Sequence, residues 1–239
     1  MPGLYHAWVY LQSGPLLGLT ATLLAWQAAS WLDARAGHAG WSNPIMLAMA
    51  ILVVALIATG TSYRSYFNGA QYVQFLLGPA TVALAVPMYA NLATMRRNLL
   101  PILASMIAGS LAAALSAMLI VAALGAPHAV VISIAPKSVT TPIAMGISQD
   151  LGGLPALTAI FVLLTGIFGA AIALPFFRLL RVRDRRAQGL AAGTAAHGIA
   201  TARLLLESDT AGAFGGLAIG LNGLMTAVMV PLLVRWLLG

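Results

Sequence analysis

The sequence predicts an all-α integral membrane protein with about six transmembrane helices and two opposed re-entrant hairpins, each a helix broken near mid-depth. Three observations carry that prediction. Of 239 residues, 61% are hydrophobic and only 7% charged, with a mean hydropathy of +0.94, which is far more apolar surface than a soluble domain needs. Six apolar stretches approach or exceed the roughly 20 residues that cross about 30 Å of hydrocarbon. Finally, the basic residues collect on one side once two broken segments are treated as hairpins rather than crossings, as expected for cytoplasmic loops.

The expected spans are Leu11–Leu32, Pro44–Gly60, Leu99–Leu124, Leu154–Phe177, Gln188–Leu206 and Phe214–Leu238. Met1–Trp8 carries no basic residue ahead of an apolar core, which argues against a cleavable signal peptide and keeps the first stretch as a span. Asn43-Pro44 opens the second span; Asn43 reads as a helix cap whose amide is also a candidate to reach the site. Gly60–Gly69 reads as a loop with tyrosines suited to the interface belt.

Two segments are too short or too broken for ordinary spans: Ala70–Ala90, with Gly78-Pro79 and Pro87, and Ala129–Ser148 around Lys137. As full crossings they would put Arg96/Arg97 and the Arg178–Arg186 cluster on opposite faces. As hairpins they leave Arg64, Arg96, Arg97, Arg178, Arg181, Arg183, Arg185, Arg186 and Arg235 inside, with both termini. Asp33, Arg35, Asp150, Glu207 and Asp209 then face outward. Residues 128–135 and 142–149 form eight-residue arms that rise about 12 Å as helix, roughly to the bilayer middle. Pro79-Ala80-Thr81-Val82 weakly echoes Pro136-Lys137-Ser138-Val139. The chain thus reads as one polytopic domain of two repeated halves, about 1–124 and 125–239, each with one broken hairpin of the kind that forms transporter sites.

Lys137 is the only lysine, and it sits between Pro136 and Pro142. Pro142 removes an N–H and clashes with the preceding turn, while Pro136 biases Ala135 away from the helical region, so the backbone must break here. Broken backbone at membrane depth survives only where protein buries it or water reaches it. Thr141-Pro142 reads as an N-cap with proline at the first helical position, aiming free N–H groups at the tip. Lys137, the hydroxyls of Ser138, Thr140 and Thr141, and those N–H groups together favour a small anion, a carboxylate above all. The alternative is that Lys137 snorkels or pairs with an acid.

A second constellation is Gly193-Thr194-Ala195-Ala196-His197, followed by Thr201-Ala202-Arg203. In a continuous helix Thr194, His197 and Thr201 share a face, and Gly189, Gly193 and the alanines admit a close neighbour. His197 is then either a proton-coupling residue or a neutral histidine bonded between helices. Arg203 is expected to pair with Glu207 at i+4, with a structural or gating role. The absence of cysteine excludes disulfides and thiol chemistry. The sequence has no phosphate-binding glycine loop, no paired-histidine metal motif and no serine nucleophile elbow. The expectation is a non-enzyme without cofactor or metal, and the net charge of +7 reflects membrane orientation and contact with anionic lipid, not nucleic acid.

Long ungapped stretches resemble the LrgB/CidB family of membrane proteins, which includes plastid glycolate/glycerate transporters. They are Tyr63-Arg64-Ser65-Tyr66-Phe67-x-Gly69, the run from Leu77 to Tyr89 containing Pro79 and Thr81, Pro136 to Ala144, and the Gly193–Arg203 motif. The resemblance implies export or uptake of small monocarboxylates such as glycolate, glycerate, pyruvate or acetate across a bacterial cytoplasmic membrane. It equally implies an antiholin-like modulator of murein hydrolase activity and autolysis, acting with a small LrgA/CidA-type membrane partner. The resulting expectation is an elevator-like secondary transporter, homodimeric as such carriers usually are. The residues expected to hold substrate are Lys137, Ser138, Thr140, Thr141, Pro79, Thr81, Thr194, His197, Thr201 and Asn43.

Overall fold

Helices dominate the computed structural model, which describes residues 15–37, 42, 44–76 and 85–238, with no strand among them. The chain forms two compact units, Met1–Ala83 and Leu84–Gly239.

In the first unit, α1 (Pro15–Arg35) and α2 (Pro44–Thr59) occupy the first two expected spans, and α3 (Tyr63–Phe75) follows. Gly18 of α1 lets α3 approach, because a Cβ there would collide with the Tyr66 carbonyl oxygen. Thr22 Oγ1 donates to the Gly18 carbonyl at 2.7 Å, so the Tyr66 hydroxyl, 2.9 Å away, is the donor to Thr22. Ser42 Oγ donates to buried Asp33 at 2.7 Å beyond the end of α1. The expected loop over Gly60–Gly69 is a correction: Gly60, at φ +64°, ends α2, but helix resumes at Tyr63 and runs through Gly69. Its first turns are held by the i,i+4 stack of Tyr63 on Phe67, centroids 5.6 Å apart. The tip of the Ala70–Ala90 segment lies outside the described residues.

The second unit contains α4 (Ala85–Ala90), α5 (Leu92–Arg97), α6 (Leu99–Ala123), α7 (His128–Ile134), α8 (Thr141–Asp150), α9 (Pro155–Leu179), α10 (Arg185–Leu205) and α11 (Asp209–Leu238). Of these, α6, α9 and α11 are long and apolar enough to cross a membrane. The first and last of the three run in the same direction. Met95, Ile102 and Met106 pack with Ala213, Phe214 and Ala218, and further along Ala114 and Met118 pack with Val230. The helix α9 runs against them, its late residue Phe177 sharing a cluster with Ala211 at the start of α11.

Between α6 and α9 the chain makes a helical hairpin of α7 and α8, broken over residues 135–140. Ala135 ahead of Pro136 nevertheless keeps helical angles (φ −53°, ψ −48°), against the expectation that Pro136 would move it out of the helical region. Side-chain hydroxyls fasten its base to α9. Ser133 Oγ accepts from the Leu154 N–H at 2.8 Å, and Thr158 Oγ1 donates to Ser148 Oγ at 2.7 Å.

The helix α10 corrects the expectation of a single crossing over Gln188–Leu206. Ala196 (φ −139°, ψ 25°) and His197 (φ 44°, ψ −142°) are non-helical, and the chain folds back there into a second hairpin. Gly189 and Gly193 on the outgoing arm lie against Ala211 and Gly215 of α11, and the returning arm meets the same stretch, Thr201 at Gly215 and Leu205 at Gly212. Along α9 the returning arm descends in step, from His197 beside Gly166 to Ala200 beside Gly169 and Leu204 in the cluster of Phe177. Of the six stretches read as crossings, this one turns round.

The sidedness changes accordingly. Glu207 lines one cleft of about 360 Å³ together with Arg178, Arg181, Arg183 and Arg185, so it lies at the basic end of the unit and not opposite it. Asp209, which opens α11, is at that end too, and Arg203 joins the arginines there through Glu207. Conversely Arg235 is flanked by Leu233, Val234 and Leu237, which pack, as Leu151 does, against the cluster of Met118, Val131 and Val230 at the other end of the unit. The C-terminal residues and the Arg178–Arg186 cluster therefore occupy opposite ends.

Candidate functional site

The breaks in the two hairpins bring their tips together in the second unit. At the first tip, residues 135–138 form a tight turn carrying Lys137, with Pro136, Ser138 and Val139 buried and Lys137 half-buried. The helix cap is Thr140 (φ −62°, ψ 145°), one residue earlier than the sequence suggests, with Thr141 and Pro142 in the first turn. The Thr140 side chain makes no capping hydrogen bond, so that turn's N–H groups face the tip without a side-chain acceptor. Among the described residues Lys137 has no ion-pair partner, and the buried Ser138 hydroxyl has no hydrogen-bond partner. A lysine, an unpaired hydroxyl and a helix N-terminus thus fall within residues 137–141, a combination suited to an anion.

At the second tip His197 is 5% exposed and held in the left-handed region, where a non-glycine residue costs of order 1–3 kcal/mol. Its ring explains how that conformation persists. Nε2 lies 2.9 Å from the Val162 carbonyl oxygen and donates to it, which assigns the Nε2–H tautomer when the ring is neutral. Gly166 makes the space, since a Cβ there would sit 2.6 Å from His197 Cε1. Thr201 Oγ1 donates to the His197 carbonyl at 2.9 Å, satisfying an acceptor at the break. Thr194, His197 and Thr201 are all buried, as expected, but they surround a hairpin tip instead of lining one face of a continuous helix. The two constellations meet because one side chain of α11, Asn222, bonds to backbone carbonyls in both tips.

The link between tips was not legible in the sequence. Asn222, buried at the middle of α11, donates through Nδ2 to the Ser138 carbonyl at 3.2 Å and the Thr194 carbonyl at 3.0 Å, and Ser110 of α6 donates to its Oδ1. An asparagine inside an apolar helix was the available signal, because an intramembrane amide needs partners.

Other candidates fall elsewhere. Arg203 and Glu207 form the expected i,i+4 ion pair at 3.1 Å, at the basic end and away from the tips. Asn43, Pro79 and Thr81 lie outside the described residues. No group of three or more potential metal ligands occurs among the described residues.

Three helices long and apolar enough to cross a membrane, with Ser138, Thr194, His197, Thr201 and Asn222 buried among the helices, mark a polytopic membrane protein with a polar centre. The chain belongs to the LrgB-like family, whose model matches residues 22–236. It is 34% identical to the uncharacterized protein YxaC of Bacillus subtilis (strain 168) over 194 residues, 81% of this chain and 84% of that one. YwbG of the same strain, also uncharacterized, is 34% identical over 197 residues, 82% and 88% of the two chains. A protein of Bacillus cereus (strain B4264) named antiholin-like protein LrgB is 28% identical over 223 residues, 93% and 97% of the two. No solved structure matches the chain.

Proposed function

We propose that the protein is a secondary transporter of small monocarboxylates of the glycolate, glycerate, pyruvate or acetate class, with the two hairpin tips as its substrate site. The observation that carries this is Lys137 on unwound backbone, without an ion-pair partner among the described residues, next in sequence to Ser138, whose buried hydroxyl has no hydrogen-bond partner among them, and to the first turn of α8. A monocarboxylate supplies one negative charge and two acceptor oxygens, which these donors match. In this reading Lys137, Ser138, Thr140 and Thr141 bind the carboxylate. Thr194, His197 and Thr201 close the site from the other hairpin, and His197 is the group for proton coupling. Asn43, Pro79 and Thr81 remain candidates from the first part of the chain.

With the basic end of the second unit in the cytoplasm, the hairpin of α10 enters from the cytoplasm and that of α7 and α8 from outside. Glu207 is then cytoplasmic and the C-terminus external, replacing the expectation that both termini are inside. Two opposed hairpins meeting near mid-bilayer support an elevator mechanism in a homodimer of the bacterial inner membrane, with anionic lipid at the arginine-rich face.

Replacing Lys137 with alanine is expected to abolish saturable uptake of glycolate and pyruvate in proteoliposomes. The same substitution should also erase the rise in melting temperature that a bound short carboxylate produces. Unchanged uptake by a folded Lys137→Ala protein would sink the proposal. A second reading is supported by the name of the Bacillus cereus relative: an antiholin-like modulator of murein hydrolase activity, assembled with an LrgA/CidA-type partner. It predicts leakage or lysis that depends on that partner and shows no saturation by carboxylates.

A further inference from the structure

The two helix breaks each strand a backbone acceptor, and one side chain collects both. In an uninterrupted α10 the Thr194 carbonyl would accept from the N–H of residue 198, a bond that the non-helical angles at Ala196 and His197 remove. The Ser138 carbonyl lies in the unwound tip and has no helical partner either. Unpaired acceptors at membrane depth are strongly unfavourable, because lipid offers them no donor. Asn222, 1% exposed, places its single NH2 group between the two, 3.0 Å from one oxygen and 3.2 Å from the other. The Ser110 hydroxyl fixes which way round the amide sits, because it donates to Oδ1 and so turns the NH2 toward the carbonyls.

We propose that Asn222 is the positioning residue of the site: by holding the Ser138 and Thr194 carbonyls on one nitrogen it sets the gap between Lys137 and His197, and the tips part only when these bonds break. This rests on reading the tips as the substrate site, but its test does not require transport. The chain has no cysteine, so single reporters are free of background. Val139, 1% exposed at the first tip and clustered with Val162, is replaced by cysteine, and its rate of reaction with N-ethylmaleimide reports opening of the tips. A second reporter, Met95→Cys, buried in the packing of α5 on α11, reports general loosening.

Asn222→Leu, with the same branched heavy-atom skeleton but without donors, is expected to raise Val139→Cys labelling about tenfold. Ser110→Ala, which frees the amide to rotate, should raise it several-fold, and the Met95→Cys rate should change less than twofold in both. The inference is overturned if the Val139→Cys rate stays within twofold of the parent, or if both reporters accelerate together. Should Asn222→Leu fail to fold, the same criteria applied to Ser110→Ala decide. Glycolate supplies a separate arm. Its failure to slow labelling in the parent counts against the carboxylate site, while the effect of Asn222 is judged by the unliganded rates.

Discussion

The tip joining α7 to α8 and the tip inside α10 break a helix by different physics. In the first, Pro136 and Pro142 lack an N–H, and the bond missing at Pro142 leaves the Ser138 carbonyl without a helical partner. The break is thus written into local covalent structure, even though Ala135 and Thr141 ahead of the prolines keep helical geometry. In the second there is no proline. His197 adopts φ 44° because its ring reaches the Val162 carbonyl through the gap over Gly166, and Asn222 takes up the Thr194 acceptor that the break releases. A break of the first kind needs nothing outside its own segment. One of the second kind exists only while α9 and α11 are packed against it.

The largest expected effect tests whether α10 turns round at all. Single cysteines at Arg183 and Glu207 should react with a membrane-impermeant thiol reagent from the same side, and those at Asp150 and Arg235 from the other. Labelling of Glu207→Cys together with Asp150→Cys would restore α10 as a single crossing. Next is the support for the second tip. Gly166→Ala puts a methyl 2.6 Å from His197 Cε1, which should cost about 1–3 kcal/mol by overpacking, seen as a lower melting temperature, and impair glycolate uptake. A variant as stable and active as the parent would show that His197 does not depend on this gap.

A smaller effect has a diagnostic sign. At a residue with φ 44°, His197→Gly should be more stable than His197→Ala by about 1 kcal/mol, since only glycine enters that region freely. In a continuous helix the order reverses by about the same amount. Denaturation of the two variants side by side distinguishes the cases. The smallest effect is expected at the start of α10, where Asp184 accepts from the Arg186 N–H at 2.9 Å. Hydrogen bonds from the Arg186 side chain hold the Asp184 carboxyl below its usual range. Because the folded value is depressed, the stabilisation is full above the unfolded value of about 3.9 and disappears as pH falls through the folded one. The pair is well exposed, so Asp184→Ala should lower the melting temperature at pH 7 by only a few degrees and converge with the parent in acid. A pH-independent difference would mean that the carboxylate's charge is not what caps this helix.

Much of this was legible before any coordinates. The apolar stretches Leu99–Leu124 and Leu154–Phe177 became α6 and α9 within a residue or two, and the Lys137 tip was found from Pro136 and Pro142 alone. The pairing of Arg203 with Glu207 also followed from i,i+4 spacing. What failed was the path of α10. A stretch with His197, Thr194 and Thr201 at helical spacing looks the same in sequence whether the helix continues or folds back after Ala196, and its length suits a crossing. A hint lay in its polarity, since Arg185, Gln188, His197 and Arg203 keep it from being apolar enough to cross a membrane. The error in α10 reversed α11 and so carried Glu207 and Arg235 to the wrong ends.

The sequence by itself determined the membrane class, the long apolar helices and the proline-bounded lysine, because hydrophobic length and proline geometry act over a few residues and need no partner. Tertiary structure alone decided that α10 returns on itself, that the His197 ring reaches Val162, and that Asn222 joins the tips. Those outcomes rest on contacts such as that of Val162 with His197 or Ser138 with Asn222, 35 and 84 residues apart, where a buried acceptor takes whichever donor the packing brings within 3 Å or so.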